Sequence, residues 1–257
     1  MQPSDDWDSH WQSLKPVTKQ IPSQAFRHRL VIRYVINAKP KKIVDIGCGQ
    51  GDLLYELSRH FNADALAGLE LSTTGVKEAL GKVPQAAIDQ FDLLSAHPSP
   101  LPRDFDCLTC VEVLEHVDDP IRFLRAALLQ LAPGGKVVIT VPSGPRTAFD
   151  KSIGHRRHFN KKELLTILNS AGLVNAQIRR VGFPFFDVYR FVVLLRGKRL
   201  ASTVADSSLD KSKTARIAMF TFSILLRVNP NFIPLGLQLI ATADFVPQVK
   251  SDSVDIP

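Results

Sequence analysis

Cysteine, methionine and long apolar runs are scarce in this sequence, and the shortages exclude whole classes of protein. Three cysteines and two methionines occur among 257 residues. That is too few cysteines for the disulfide framework of a small secreted domain, so we expect a reducing compartment. No apolar run reaches the roughly 18 to 20 residues of a membrane-spanning helix, and the longest, Ile217 to Leu226, ends at Arg227. The N-terminal residues are polar and include acids, unlike a secretory signal. We therefore expect a cytoplasmic protein, with peripheral contact to a membrane left open.

Two of the cysteines, Cys107 and Cys110, form a C-x-x-C pair, a spacing also found in zinc and redox sites. No second pair accompanies them, and the apolar run around them indicates a buried strand. Residues three apart in a strand point to opposite faces of the sheet. Zinc or redox use of this pair is therefore not expected.

Positive charge exceeds negative charge in the sequence. The 32 Lys and Arg residues against 25 Asp and Glu residues give a net charge of +7. This balance favours an anionic partner. Three kinds of partner fit: a membrane surface, a nucleic acid or an acidic substrate. Composition alone does not choose among the three.

Short apolar runs alternate with helical periodicity along most of the chain. After a first helix over 25–37, the pattern predicts strands at 43–46, 65–70, 86–91, 106–111, 136–142, 173–181 and 235–244, with helices over 52–61, 73–81, 119–131, 163–171 and 214–227. Alternating strands and helices form βαβ units, which place the strands in one parallel sheet between layers of helices. The predicted fold class is α/β, with a doubly wound and mainly parallel sheet.

The most informative stretch is a glycine-rich turn, Gly47-Cys48-Gly49-Gln50-Gly51, between the first strand and the next helix. Glycine lacks a Cβ atom, so the backbone can turn sharply and approach a ligand. A dinucleotide loop has the spacing G-x-G-x-x-G and binds a pyrophosphate. Here the spacing is G-x-G-x-G, and the carboxylates of Asp45 and Asp52 would repel phosphate and attract an ammonium or sulfonium group. Glu70 ends the second strand, where it can accept both hydroxyls of a ribose.

These motifs resemble those of class I S-adenosylmethionine-dependent methyltransferases, over residues 30–182 and more loosely over 233–245. The segments that carry the resemblance are 43–52, 68–72, 90–94, 105–117 and 131–142. The string Glu112-Val113-Leu114-Glu115-His116-Val117 is similar to one in the ubiquinone-biosynthesis O-methyltransferases. The resemblance implies a Rossmann-like, seven-stranded sheet that ends in an antiparallel hairpin, with a helical insertion before the last strand.

The resemblance also implies S-adenosylmethionine as the cofactor, bound by residues at the carboxyl ends of the strands. The predicted cofactor-binding residues are Asp45, Gly47, Cys48, Gly49, Gly51, Glu70, Leu71, Asp92, Leu93, Val111 and Glu112. Among them, Glu70 would bind the ribose and Asp92 the adenine amino group.

Three histidines are candidates for a general base: His116 after the fourth strand, and His155 and His158 after the fifth. A sulfonium methyl donor is already activated, so the enzyme mainly aligns the reactants, and a base helps if the acceptor is a hydroxyl. A structural hydrogen bond is the alternative role for His116. Together with Glu112 and Glu115, His116 also resembles a divalent-metal site of the quinone O-methyltransferases, but contact with the cofactor or helix capping is favoured for the glutamates, and no metal is assigned.

The loop Gly154 to Phe159 contains two histidines and two arginines, and Arg146 lies upstream. Such a cluster favours an acceptor that carries phosphate or carboxylate. The alternative is a solvated loop before the next helix.

The sequence divides into an N-terminal cap and helix (1–37), a cofactor-binding core (38–182), a helical insertion or lid (183–232), the last strand (233–245) and a polar tail (246–257). Trp7 and Trp11, one helical turn apart, either fasten the N-terminal segment to the body or cover the active site. The insertion has two apolar segments, 183–195 and 217–226, flanked by basic residues. It is either a lid that also contacts a membrane or lipid-like acceptor, or an insertion packed on the sheet.

We therefore predict a methyltransferase that acts on a small-molecule or lipid-like acceptor, at oxygen. A methyltransferase of RNA or protein is less favoured, because the stretch after the fourth strand is Glu112 to Glu115 rather than an Asn-Pro-Pro-Tyr-type tetrad. A non-catalytic cofactor-binding scaffold is opposed by the intact glycine turn, Glu70 and Asp92. A nucleic-acid partner is not favoured.

Overall fold

The computed structural model describes residues 6–14, 21–192, 213–231 and 233–247. The middle of the predicted insertion, 193–212, and the tail beyond 247 lie outside the described residues. The helices are α1 Trp7–Leu14, α2 Pro22–Ala38, α3 Asp52–Leu57, α4 Thr73–Lys82, α5 Pro120–Leu128, α6 Ala148–Ser152, α7 Lys161–Ala171, α8 at 185–192 and α9 Lys213–Arg227. The strands are β1 Ile43–Ile46, β2 Leu66–Glu70, β3 Ala87–Gln90, β4 Phe105–Val111, β5 Leu131–Pro142, β6 Leu173–Val181 and β7 Gln238–Phe245.

The seven strands form one sheet in the order β3-β2-β1-β4-β5-β7-β6. Strands β1 to β5 pair in parallel, and β7 runs antiparallel to both of its neighbours, β5 and β6. The predicted fold class and the terminal antiparallel hairpin are confirmed. The order reverses between β1 and β4, and ligands of such sheets bind at this switch point, beyond the carboxyl ends of the strands.

The sheet has a hydrophobic core on each face. One core packs side chains of α5 and α7, such as Leu124 and Leu164, against β4 and β5. The other packs α2, α3 and α4 against the opposite face. Cys107 belongs to the second core and Cys110 to the first, and both thiols are free and buried. The expectation that they point to opposite faces is confirmed.

Element boundaries differ from the prediction around residue 130. The predicted helix 119–131 is α5, which ends at Leu128, and the predicted strand 136–142 begins five residues earlier, at Leu131. Leu131 fits the helical spacing of leucines, but it pairs with Phe105 of β4. Tertiary pairing therefore overrides the local pattern. The helix start is as expected: Asp119 accepts a hydrogen bond from the Arg122 backbone N–H at 3.0 Å.

The insertion between β6 and β7 contains α8 and α9. The two helices are in contact, since the rings of Tyr189 and Phe222 are 5.2 Å apart. Helix α9 also packs on α2, where Arg29 Nη2 donates to the carbonyl oxygen of Leu226 at 3.1 Å. Among the described residues, no helix has the length and apolar character needed to cross a bilayer.

Candidate active site

The glycine-rich turn lies between β1 and α3, beside the residues that follow β4. Gly47 and Gly49 have φ angles of +70° and +54°, which residues other than glycine rarely adopt. A Cβ atom on Gly47 would lie 2.6 Å from Cγ2 of Val113. The turn and the exit of β4 are therefore in close contact, as the resemblance implies for a ligand site.

The Glu70 carboxylate is fixed at the end of β2, next to the glycine-rich turn. Its Oε2 accepts the Gly49 backbone N–H at 2.8 Å, and its Oε1 accepts the Ser72 backbone N–H at 3.0 Å. Burial raises the pKa of Glu70, while these two N–H groups oppose the shift. The Trp11 side chain and the Leu71 backbone also interact with this carboxylate, so a ligand hydroxyl would replace one of these contacts.

Asp45 is buried in β1, directly before the turn. Its Oδ1 accepts a hydrogen bond from Thr109 Oγ1 at 2.6 Å. Burial raises the pKa of Asp45 to about 7, against the effect of the Thr109 hydroxyl, and the charge of Glu70 adds to the rise. Cys48 is also buried, and burial raises the pKa of its thiol, so this side chain packs as a small apolar group.

The other predicted cofactor contacts follow β2 and β3. Leu71 is 49% exposed, and Asp92 is exposed, with its Oδ1 accepting the Leu94 backbone N–H at 2.8 Å. Leu93 follows Asp92, and Phe91 N–H donates to the carbonyl oxygen of Glu70 at 2.8 Å. These residues lie at the carboxyl edge of the sheet, and their cofactor contacts stay predictions.

Val111 ends β4 and Glu112 follows it, but the Glu112 side chain is bonded to other parts of the fold. Its Oε1 accepts hydrogen bonds from Thr140 Oγ1 at 2.9 Å and from Gln238 Nε2 at 2.6 Å, and Arg27 Nε lies 3.6 Å from Oε2. Glu112 therefore ties β4 to β5, β7 and α2. Its predicted contact with the cofactor has no support from these contacts.

The three candidate bases are brought together. The ring centroids of His116 and His155 are 4.8 Å apart, and those of His155 and His158 are 5.3 Å apart. His116 ends the short 3-10 turn after β4, and the other two lie between α6 and α7. We call these three residues the histidine cluster.

Hydrogen bonds indicate which nitrogen of each neutral ring carries the proton. His158 Nδ1 lies 3.2 Å from the Gly144 carbonyl oxygen, which can only accept, so Nδ1 donates. His158 Nε2 is then the acceptor for the Nδ1–H of His155, at 3.0 Å. The network therefore assigns the free lone pair of His155 to its Nε2 atom, 4.0 Å from Oε1 of Glu115.

Burial keeps the bonded pair of imidazoles neutral. It lowers the pKa of His155 to about 3, with further contributions from His116 and His158. Burial, followed by the charge of Arg190, also lowers the pKa of His158. Glu115 is fully buried, and burial raises its pKa well above the usual range, with the charge of Glu112 adding to the rise. His155 Nε2 is therefore unprotonated near neutral pH, and as a general base it would depend on a nearby carboxylate such as Asp150 to stabilise the proton that it accepts.

The same cluster has the composition of a metal site. Two sets of three side chains place ligand atoms within 4.8 Å of one another: Glu115 with His116 and His155, and Asp150 with His155 and His158. Both carboxyl oxygens of Glu115 are buried without a hydrogen-bond partner among the described residues. Carboxylate and imidazole groups suit several divalent cations. Relative to the set considered from sequence, His155 takes the place of Glu112.

The arginines near the cluster are used within the protein. Arg146 donates to the carbonyl oxygens of His155 and Arg156. Arg156 pairs with the carboxylate of Asp118, and Arg157 donates to the Asp118 carbonyl oxygen at 2.7 Å. These contacts fasten the loop. The basic run therefore does not by itself support the anionic acceptor expected from sequence.

Two residues of this site, Asp150 and Arg190, were not predicted from the sequence. Arg190 Nη2 lies 3.3 Å from Oδ2 of Asp150 and 3.5 Å from Nδ1 of His158, and His158 Nε2 lies 3.8 Å from Oδ1 of Asp150. The Thr147-x-x-Asp150 spacing of a capping box was a signal for Asp150. An arginine within the apolar run after Phe183 was the signal for Arg190.

Helix α1 lies across the site. Asp8 Oδ1 accepts hydrogen bonds from Ser72 Oγ at 2.6 Å and from Thr74 N–H at 2.8 Å. The ring of Trp7 meets His116 edge-on at 4.8 Å. The indole of Trp11 lies against Gly49, 2.7 Å from where a Cβ atom would be, and also interacts with Glu70. The tryptophans therefore both fasten the segment and cover the site.

Comparison with known sequences gives one family and a consistent set of relatives. Residues 19–178 match the family described as "Methyltransferase domain". A ubiquinone biosynthesis O-methyltransferase from Aeromonas salmonicida is 31% identical over 156 residues, which cover 52% of this chain and 63% of that protein. The chain spans 63% and 52% of the lengths of the first two curated relatives that it matches.

Comparison with solved structures supports the fold. An S-adenosylmethionine-dependent methyltransferase from Thermotoga maritima matches 93% of this chain and 99% of its own, with a TM-score of 0.60 and 16% identity. Phosphoethanolamine N-methyltransferase 2 from Haemonchus contortus, solved with S-adenosylmethionine, matches 93% of this chain and 57% of its own, with a TM-score of 0.59 and 18% identity. At these identities the likeness concerns the fold alone.

Proposed function

Since this chain belongs to the methyltransferase-domain family, we propose that it transfers a methyl group from S-adenosylmethionine to a hydroxyl of a small-molecule or lipid-like acceptor. The observation that carries the proposal is the position of the histidine cluster. It follows β4 and β5 at the sheet edge that also holds the glycine-rich turn and Glu70, and Val113, three residues before His116, touches Gly47.

The residues of the glycine-rich turn fit the cofactor. The Trp11 indole occupies the space that a Cβ atom of Gly49 would fill, so the cofactor would displace this ring, and Glu70 would then accept hydroxyls of the ribose. Asp92 would bind the adenine amino group, as the resemblance implies. Bound S-adenosylmethionine supplies a methyl group that is already activated for displacement.

His155 is the proposed general base. Its Nε2 atom accepts the proton of the acceptor hydroxyl, which leaves the oxygen free to attack. His158 holds the ring in this tautomer through the 3.0 Å bond to Nδ1. The carboxylate of Asp150, whose pKa is lowered by the Thr147 hydrogen bonds against the effect of burial, lies near His158 and balances the positive charge that develops. This arrangement favours oxygen, consistent with the names of the curated relatives.

The acceptor class is inferred from what lies near the base. The described neighbours of His155 are the rings of His116 and His158 and the buried carboxyl group of Glu115. The arginines of the loop are bonded within the protein, so this site favours a neutral acceptor hydroxyl, phenolic or lipid-like, over an anionic one. A nucleic-acid substrate has no comparable support, because the arginines of the loop are bonded to Asp118 and to backbone carbonyls.

The proposal is tested by calorimetric titration with S-adenosylmethionine and by turnover with labelled cofactor on fractionated lipid, small-molecule and RNA pools. Changing Glu70→Ala should weaken cofactor binding by roughly 1–3 kcal/mol, because ligand hydroxyls lose a buried partner. The matched control is Glu163→Ala on α7, away from the glycine-rich turn, which should bind as wild type. Equal affinity of the Glu70 variant and wild type would refute the site. Binding without turnover on any pool would favour the scaffold alternative.

A further inference from the structure

Helix α9 presents a row of apolar side chains to solvent. The members of this row, which we call the apolar stripe, are Ile217 at 65%, Phe220 at 68%, Ile224 at 46% and Val228, just past the helix end, at 65% exposure. Spacings of three and four residues place them along one side of the helix. The opposite side is used in the fold, since Leu226 is 2% exposed and Phe222 contacts Tyr189. No described residue covers the stripe, whose exposure is far above that of a core-facing row.

The neighbouring helix α8 adds exposed apolar groups and leads to the active site. Val188 and Phe191 are 50% and 61% exposed. Between them, Arg190 turns the other way and contacts Asp150 and His158. One short helix therefore presents apolar side chains to the outside and a guanidinium group to the histidine cluster.

The charge of the same part of the chain indicates what the stripe meets. The sequence from 188 to 228 contains eight Lys or Arg residues and two Asp residues. Without Arg190, which contacts Asp150 and His158, seven basic residues remain, an excess of five positive charges. An apolar row on a helix too short to span a bilayer, combined with an excess of basic residues, is typical of helices that lie in the interface of an anionic membrane.

We propose that α8 and α9 dock the protein on an anionic lipid bilayer, with the apolar stripe inserted at the headgroup level. The basic excess attracts the surface, and burial of the stripe holds the protein there. Docking places the outward face of α8, with Val188 and Phe191, against the lipid phase, while Arg190 of the same helix contacts the histidine cluster on the other side. A lipid-like acceptor in the bilayer would then lie close to the candidate site. This goes beyond the proposed function, because docking needs neither cofactor nor turnover.

The test is co-sedimentation of the whole chain with phosphatidylcholine vesicles and with vesicles that also contain phosphatidylglycerol. The protein should bind the anionic vesicles at low salt and be released as salt rises. Phe220→Ser combined with Ile224→Ser should weaken binding by at least about tenfold, since two apolar side chains lose burial. Arg227→Glu should also weaken it, and the effect should shrink at high salt.

Leu129→Ser is the matched control, because Leu129 is 52% exposed at the end of α5, away from α9. It should leave vesicle binding unchanged. No binding to anionic vesicles at low salt, or an equal loss in the control, would overturn the proposal. So would a concentration-dependent dimer in sedimentation velocity that the Phe220/Ile224 variant abolishes without any vesicle binding. Cofactor affinity, measured in parallel, verifies that each variant is folded and shows separately whether the proposed function stands.

Discussion

At the scale of single residues, the proposed chemistry depends on which nitrogen of His155 carries the lone pair. The carbonyl oxygen of Gly144 fixes the tautomer of His158, and His158 in turn fixes that of His155. The Gly144 carbonyl oxygen therefore sets the tautomer of the proposed base through the ring of His158. The low pKa of His155, held by burial, means that the lone pair is retained well below neutral pH.

Changing His155→Ala should lower turnover by about 10²- to 10⁴-fold, because the general base is lost, while cofactor affinity stays close to wild type. In the wild type, the rate should not follow an ordinary imidazole titration below about pH 6.5, since the pKa of His155 is about 3. The measurement is kcat from pH 5 to 8 at saturating cofactor. The exposed His60→Ala serves as the control.

A tenfold loss of rate for each pH unit below the ordinary histidine pKa would contradict this assignment. Full turnover in the variants of His116, His155 and His158 would leave catalysis by alignment alone. Activity lost on chelation and restored by magnesium would instead favour the metal-binding use of Glu115, His116 and His155.

The sequence could place these residues only at the ends of strands. It identified the three histidines and Glu70, because a parallel sheet brings its carboxyl ends to one edge. It could not show that Glu112 turns away to Thr140 and Gln238, since Gln238 is far along the chain. The partners Asp150 and Arg190 were missed for the same reason: their contacts with His158 are tertiary.

At the scale of elements, α1 covers the part of the glycine-rich turn that we assign to the cofactor. Trp11 lies on Gly49 and interacts with Glu70, which are two of the residues that we assign to the cofactor. The local sequence pattern identified the two tryptophans. It did not predict their contact with the turn, or the Asp8 hydrogen bonds that fasten α1 to the residues after β2. Element boundaries were predicted well where caps such as Asp119 are local, and poorly where Leu131 joins a strand through tertiary pairing.

Trp11→Ala should tighten the binding of S-adenosylmethionine, because the cofactor no longer has to displace the indole. Trp11→Phe, which keeps an aromatic ring against Gly49, should stay closer to wild type. Titration calorimetry of the three proteins decides the point. Weaker binding by the alanine variant would mean that Trp11 contacts the bound cofactor instead of competing with it.

At the scale of the whole molecule, the buried carboxyl of Asp45 makes stability depend on pH. Its pKa is raised from 3.8 to about 7 in the folded state, so the folded protein holds a proton that the unfolded chain releases. This contribution to the free energy of unfolding is complete below pH 3.8 and is lost as pH rises through about 7. The full loss is on the order of 4 kcal/mol.

Asp45→Asn keeps an acceptor for Thr109 and removes the ionisable group. The free energy of unfolding of this variant, minus that of the wild type, should therefore increase from pH 5 to pH 8. Urea denaturation at each pH measures both values. The control is Asp64→Asn at an exposed position. Its free energy of unfolding should differ from that of the wild type by the same amount at every pH. A constant difference between Asp45→Asn and wild type across this range would show that Asp45 does not titrate in it.

The strand order also sets when the sheet can be completed during synthesis. Strand β6 is the outermost strand and pairs only with β7, which lies between it and β5. On the ribosome, β1 to β5 can therefore assemble as they emerge, but β6 has no partner until the chain has been made through β7. Until then the edge of β5 stays open to other strands, so a translational pause within the insertion would expose the nascent protein to aggregation.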